Sequence, residues 1–261
     1  MRVALSIAGS DPSGGAGVQA DLKAFFRFGV YGASALTLLT VQNTLGMQGV
    51  HLLPPEFVYD QIGSVAEDLP VHAAKTGALG NGAIVEAVAE AVRRFHLSPL
   101  VVDPVMVAKS GNPLLEREGV EALKTLLFPQ ATLITPNRLE AEALLGQPIR
   151  TLEEAEEAAR ALLLLGPRAV LLKGGHLDGE EATDLLATRE GVWRFSAPRI
   201  RTQHTHGTGC TLSAAITALL AREKPLEEAV AEAKRYLTEA LKTASNLGRG
   251  QGPVNHFARL D

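Results

Sequence analysis

The chain has 261 residues, 46% of them hydrophobic and 21% charged, enough apolar material to bury a substantial core, and it reads as one globular domain over residues 1–261. Lys and Arg number 25 against 29 Asp and Glu, and this net charge of −4, spread without a basic cluster, gives no reason to expect nucleic acid or an anionic membrane as a partner. The single cysteine, Cys210, suits a reducing compartment, and residues 1–7 are too short for a spanning helix and poorly built for a signal peptide, so a cytoplasmic protein folded from Met1 is expected.

Short apolar runs alternate with stretches of helical period along nearly the whole length, the pattern of an α/β fold with a mostly parallel central sheet and helices on both faces. Strands are predicted at residues 2–8, 33–41, 73–76, 100–103, 132–135 and 169–173, each brief and apolar as strands buried on both faces should be. A helix is predicted to start near Val18, and others cover residues 81–95, 118–127, 139–145 and 152–165. The last of these carries Glu153, Glu154, Glu156 and Glu157 early, where the helix dipole favours anions and the rest is a solvated face. The rhythm breaks at residues 183–201, where 184–188 and 192–196 flank Arg189-Glu190-Gly191 as a hairpin, predicting an antiparallel edge with Trp193 in packing. From Cys210 to Leu247 the pattern is almost wholly helical, with Pro225 placed to open a new helix.

Ligands of such sheets lie outside the carboxyl ends of the strands, and the polar residues gather there. After the first strand comes Ala8-Gly9-Ser10-Asp11-Pro12-Ser13-Gly14-Gly15-Ala16-Gly17, a loop that permits close backbone approach but lacks both the dinucleotide fingerprint and the lysine of a phosphate-binding loop. The second strand runs into Gln42, whose amide both donates and accepts and would suit a heterocycle with a donor beside an acceptor; capping a turn is the plainer alternative. Asp103, Asn137 and Glu140 offer oxygen ligands for Mg²⁺, although Asn137 also suits a helix N-cap. His206-Gly207-Thr208-Gly209-Cys210 leads straight into a helix, so its amides form a candidate anion hole, and the same position is expected to depress the pKa of Cys210. His204 and His206 supply no zinc spacing.

Together these motifs resemble the hydroxymethylpyrimidine/phosphomethylpyrimidine kinases of thiamine biosynthesis, within the ribokinase-like superfamily. The likeness spans essentially the whole chain. Besides the first loop it rests on Gln19-Ala20-Asp21-Leu22-Lys23, Gln42-Asn43-Thr44, Asp103-Pro104-Val105-Met106, Ala108-Lys109-Ser110-Gly111, Thr135-Pro136-Asn137, Lys173-Gly174-Gly175-His176 and the motif ending at Cys210-Thr211. The resemblance implies an ATP- and Mg²⁺-dependent kinase, a homodimer, that phosphorylates the hydroxymethylpyrimidine and then its monophosphate. It implies that Gln42 pairs with the aminopyrimidine in a pocket lined by Gly9, Ala16, Asp21, Ala78 and Val105. It further implies that Cys210 is the base beside the Gly207 and Gly209 anion hole and that Lys234 reaches the phosphates. Asp103 and Glu140 would hold the metal, with Lys173, Thr208 and Asn137 toward the nucleotide. At Ala78 the chain departs from the family, which often has Met in this segment, leaving a roomier pocket. A pyridoxal kinase of the same branch is the nearest rival reading. A non-catalytic pyrimidine sensor would have no need of the anion hole, and a dinucleotide oxidoreductase would need the missing fingerprint.

Overall fold

The computed structural model describes residues 1–107, 111, 114–174 and 180–260. A nine-stranded sheet runs in the order β3-β2-β1-β4-β5-β6-β7-β8-β9. Its parallel centre consists of β2 (Tyr31–Asn43), β1 (Val3–Ser10), β4 (Val71–Thr76), β5 (Leu100–Val102), β6 (Leu133–Ile134) and β7 (Ala169–Leu172). Antiparallel strands close both ends, β3 (Gly46–Leu52) against β2 on one side, β8 (Glu181–Thr188) and β9 (Val192–Pro198) on the other. The expected hairpin at the far edge is therefore present.

The period-two alternation of the central strands divides the core into two layers. Leu5, Ile7, Ala74, Val102, Ile134, Val170 and Leu172 face one layer, packing against α2 (Pro55–Asp68), α3 (Gly82–Arg94), α4 (Arg117–Ala122), α5 (Arg138–Leu145) and α6 (Leu152–Leu163). Ala4, Ala73, Val101, Leu133, Ala169 and Leu171 point the other way, into α1 (Gly17–Arg27), α7 (Thr208–Ala221) and α8 (Leu226–Lys242). Small alanines on that face let α7 lie close against the sheet, and α7 itself is apolar on all sides because it is buried on all sides, flanked by α1 and α8.

Three elements differ from expectation. Strand β3 and helix α2 had no predicted counterpart. The segment Gly46–Leu52 alternates weakly and carries two glycines, so only its pairing with an elongated β2 makes it a strand. The expected helix at 118–127 is α-helical only to Ala122 and continues as a π turn, Leu123–Leu127. The expected new helix at Pro225 is present, with Pro225 as the N-cap of α8, which stops at Lys242 short of Leu247.

One polar contact crosses this apolar interior. Asp21 of α1 and Lys75 of β4 are both fully buried, with Lys75 Nζ 2.8 and 3.0 Å from the two carboxylate oxygens, and Ser6 Oγ donates to Asp21 at 2.6 Å. The contact ties α1, β1 and β4 together at the point where the order of strands reverses direction, the crevice in which open α/β sheets place their ligands. Removing one partner strands a buried charge, so Lys75→Met should cost about 3–5 kcal/mol in urea unfolding, with much of the loss recovered in the Asp21→Asn/Lys75→Met double variant. Equal stability of the single variant and the parent would contradict this.

Candidate active site

A cavity of about 690 Å³ runs along the carboxyl ends of the strands from β2 to β9, and every candidate residue except Asp21 lines it. Its floor at one end is the loop after β1. Asp11 organises that loop: its Oδ1 accepts from the Ser13 N–H (2.9 Å) and hydroxyl (2.7 Å), and its Oδ2 accepts from the N–H groups of Gly15 (3.1 Å) and Ala16 (2.8 Å). His206 Nε2 lies 2.7 Å from the same Oδ2. Burial alone would raise the Asp11 pKa, but the bonds from His206 and Ser13 bring it down to about 2.

The N-terminus of α7 abuts this loop. Its N-cap, Gly207, has φ +78°, and a Cβ there would lie 1.7 Å from the Gly15 carbonyl oxygen; a Cβ on Gly15 would lie 2.4 Å from His206 Cδ2. Only glycines allow this approach. It brings the amides at residues 208–210 to the cavity wall beside Asp103 and Lys173: a Cβ at Gly209 would be 3.4 Å from both the Asp103 Oδ2 and the Lys173 Nζ.

Asp103 accepts from the Thr135 hydroxyl at 3.0 Å and from Lys173 at 2.9 Å. Burial disfavours its charge, but Lys173 and Lys75 outweigh it and hold the carboxyl below the usual range. Burial would likewise lower Lys173, yet Asp103 and Glu140 raise it, so it stays cationic. Glu140 is pushed to about 7, chiefly by burial, with Lys173 opposing and Asp103 adding to the rise. Asn137 does cap α5: its side chain accepts from the Glu140 N–H (2.9 Å), and Glu140 accepts from the Asn137 N–H (2.7 Å). The cap holds the Glu140 carboxyl at the cavity wall. Lys234 of α8 donates at 2.8 Å to Asp184 of β8, which also receives the Gly174 N–H.

Two expectations need correction. Asp21 does not line the cavity; it lies beneath it, bound to Lys75. The thiol of Cys210 is not depressed but pushed up to about 11, chiefly by burial: Lys75 and the Gly17 amide pull it down, while Asp21 and Asp103 push it further up. The residues that sequence reasoning passed over are Asp11, His206, Lys75 and Asp184. Asp11 and His206 lie inside the two glycine-rich motifs, and a lysine closing the apolar run Ala73-Ala74-Lys75 was a further local signal. The motif residues 108–110 and 175–176 lie outside the described residues.

The family model described as phosphomethylpyrimidine kinase matches residues 11–255. A hydroxymethylpyrimidine/phosphomethylpyrimidine kinase of Salmonella typhimurium is 53% identical over 97% of both chains. A thiamine biosynthesis bifunctional protein of Geobacter sulfurreducens is 51% identical over 97% of this chain and 52% of its own. Among solved structures, the ADP complex of Bacillus subtilis pyridoxal kinase superposes with a TM-score of 0.91 at 38% identity, covering 99% of this chain and 98% of the other.

The raised thiol predicts the reactivity of Cys210. Alkylation by iodoacetamide should accelerate roughly tenfold per pH unit from about pH 7 to about pH 10, following the thiolate fraction. A rate that levels off near neutrality would mean that the helix terminus outweighs burial after all.

Proposed function

The chain belongs to the phosphomethylpyrimidine kinase family, and we propose that its cavity passes a phosphoryl group from ATP to 4-amino-5-hydroxymethyl-2-methylpyrimidine and then to the monophosphate so formed, in thiamine biosynthesis. The observation that carries this reading is the seating of the α7 N-terminus midway along one cavity, with Gln42 and the β1 loop at one end and Lys173 and Lys234 at the other. An amide-bearing end suits a heterocycle, a cationic end suits a triphosphate, and the first turn of α7 lies between them where phosphoryl charge must be stabilised.

Phosphoryl transfer rests on positioning and charge neutralisation more than on a strong base. Gln42 orients the aminopyrimidine, with Gly9, Ala16, Ala78 and Val105 around the ring. The amides of residues 208–210 and the ammonium groups of Lys173 and Lys234 stabilise the transferring group, with Thr208 and Asn137 on the nucleotide side. Cys210 receives the hydroxyl proton. Asp103 and Glu140 bring two carboxylates to the same wall, a hard-oxygen donor set that fits Mg²⁺, and the ion would neutralise phosphate charge when bound.

Ala78 and the likeness to a pyridoxal kinase favour a second, weaker activity on pyridoxal-type alcohols. The proposed enzyme works in the cytoplasm as a single kinase domain. It pairs as a homodimer, for which the β2–β3 edge, with Leu39, Val41, Leu45 and Val50 exposed, offers an apolar face.

Steady-state kinetics test the division of roles. Gln42→Ala should raise the KM for the pyrimidine about tenfold with a smaller change in kcat, whereas Cys210→Ala should lower kcat by about 10²-fold or more with little change in KM. Equal effects of both on KM would sink the assignment. Because only the ionised thiol accepts a proton and its pKa lies at about 11, kcat should also climb with pH above neutrality, and Cys210→Ala should flatten that climb.

A further inference from the structure

Gln42 Nε2 lies 3.3 Å from His206 Nε2, and that histidine nitrogen lies 2.7 Å from Asp11 Oδ2. The protonation of the chain follows from its far end. Asp11 already accepts four hydrogen bonds from Ser13, Gly15 and Ala16, so it is a carboxylate with nothing to donate, and His206 must present an N–H to it. A nitrogen that donates to Asp11 has no lone pair left for the amide N–H of Gln42. The amide, whose two ends have nearly the same shape, avoids a donor-to-donor contact by turning its oxygen to the histidine, where it shares the one Nε2–H with Asp11. His206 has no freedom to avoid this, being buried, packed on Gly15 and Pro253, and held by its own N–H to the Gly252 carbonyl at 3.1 Å.

We infer that His206 is a specificity-determining positioning residue: its Nε2–H, directed by Asp11, fixes which way round the Gln42 amide stands. The cavity then takes a heterocycle that carries a donor beside an acceptor in one order and rejects the reversed pair. The discrimination is strong because the wrong ring leaves buried polar groups unpaired, whereas a free amide would turn over and accept either. This rests on the proposed pairing of Gln42 with the aminopyrimidine.

The test compares kcat/KM for 4-amino-5-hydroxymethyl-2-methylpyrimidine with that for its 4-oxo counterpart, whose ring N–H and carbonyl reverse the order. His206→Leu should reduce the preference for the amino compound about tenfold or more, mainly through KM. His206→Gln, which keeps an N–H near the same place, should restore much of it. A preference unchanged in a folded His206→Leu protein overturns the role of His206. Gln42→Ala separates the two readings: a preference lost there but kept in His206→Leu removes His206 alone, whereas one kept in Gln42→Ala removes the Gln42 pairing beneath it. Should His206→Leu fail to fold, ¹⁵N NMR of the unaltered protein decides the point. A proton on Nε2 of His206 is expected, and a proton on Nδ1 alone overturns the inference.

Discussion

The architecture of the site depends on one close approach, that of Gly207 to the carbonyl oxygen of Gly15. With a side chain at either glycine, α7 would be pushed off the strand ends, its first amides would leave the cavity wall, and His206 would lose its place against the loop. The approach is possible because two loops far apart in sequence are each held from within: Asp11 ties the first through its own backbone amides, and Gly252 and Pro253 brace the second. The N-terminus of α7 and the loop after β1 are thereby built as one unit. A purely structural loop would have no need of so many glycines at such short distance.

Around this unit the chain buries carboxylate–lysine pairs drawn from separate elements: Asp21 with Lys75, Asp103 with Lys173, and Asp184 with Lys234. Buried pairs of this kind contribute little net stability compared with apolar residues of the same volume. Two pairs face the cavity, where an arriving phosphate would exchange partners with the carboxylates. The third lies underneath, where Lys75 favours the ionised forms of Cys210 and Asp103 while Asp21 opposes ionisation of the thiol. Burial would favour a neutral Lys75, but Asp21 and Asp103 keep it cationic.

Much of this could be seen in the sequence, and the rest is hidden for identifiable reasons. Strand ends followed by Gly9, Asp103, Thr135 and Lys173 announce a doubly wound sheet and its ligand side, since both depend on local period and turn chemistry. The α7 motif is readable because small residues before an apolar helix have few other uses. Strand β3 is invisible because its strand character comes from its partner β2. The raised thiol of Cys210 is hidden because the helix terminus is a local feature, whereas the burial and the carboxylates of Asp21 and Asp103 that raise it come from the packing of distant segments. Asp21 sits one helical turn from pocket residues, and only the packing of α1 on β4 shows that its carboxylate turns inward. The chain from Asp11 through His206 to Gln42 joins residues up to 195 positions apart, beyond any spacing rule.

The claim at the centre is that one cavity recognises a pyrimidine at its β2 end and moves phosphoryl groups at the α7 terminus. Mass spectrometry of the product formed with ATP, Mg²⁺ and the hydroxymethylpyrimidine tests it most directly. The account predicts a monophosphate that gives way to a diphosphate on the same pyrimidine. An unmodified pyrimidine, with pyridoxal phosphorylated under the same conditions, would contradict it.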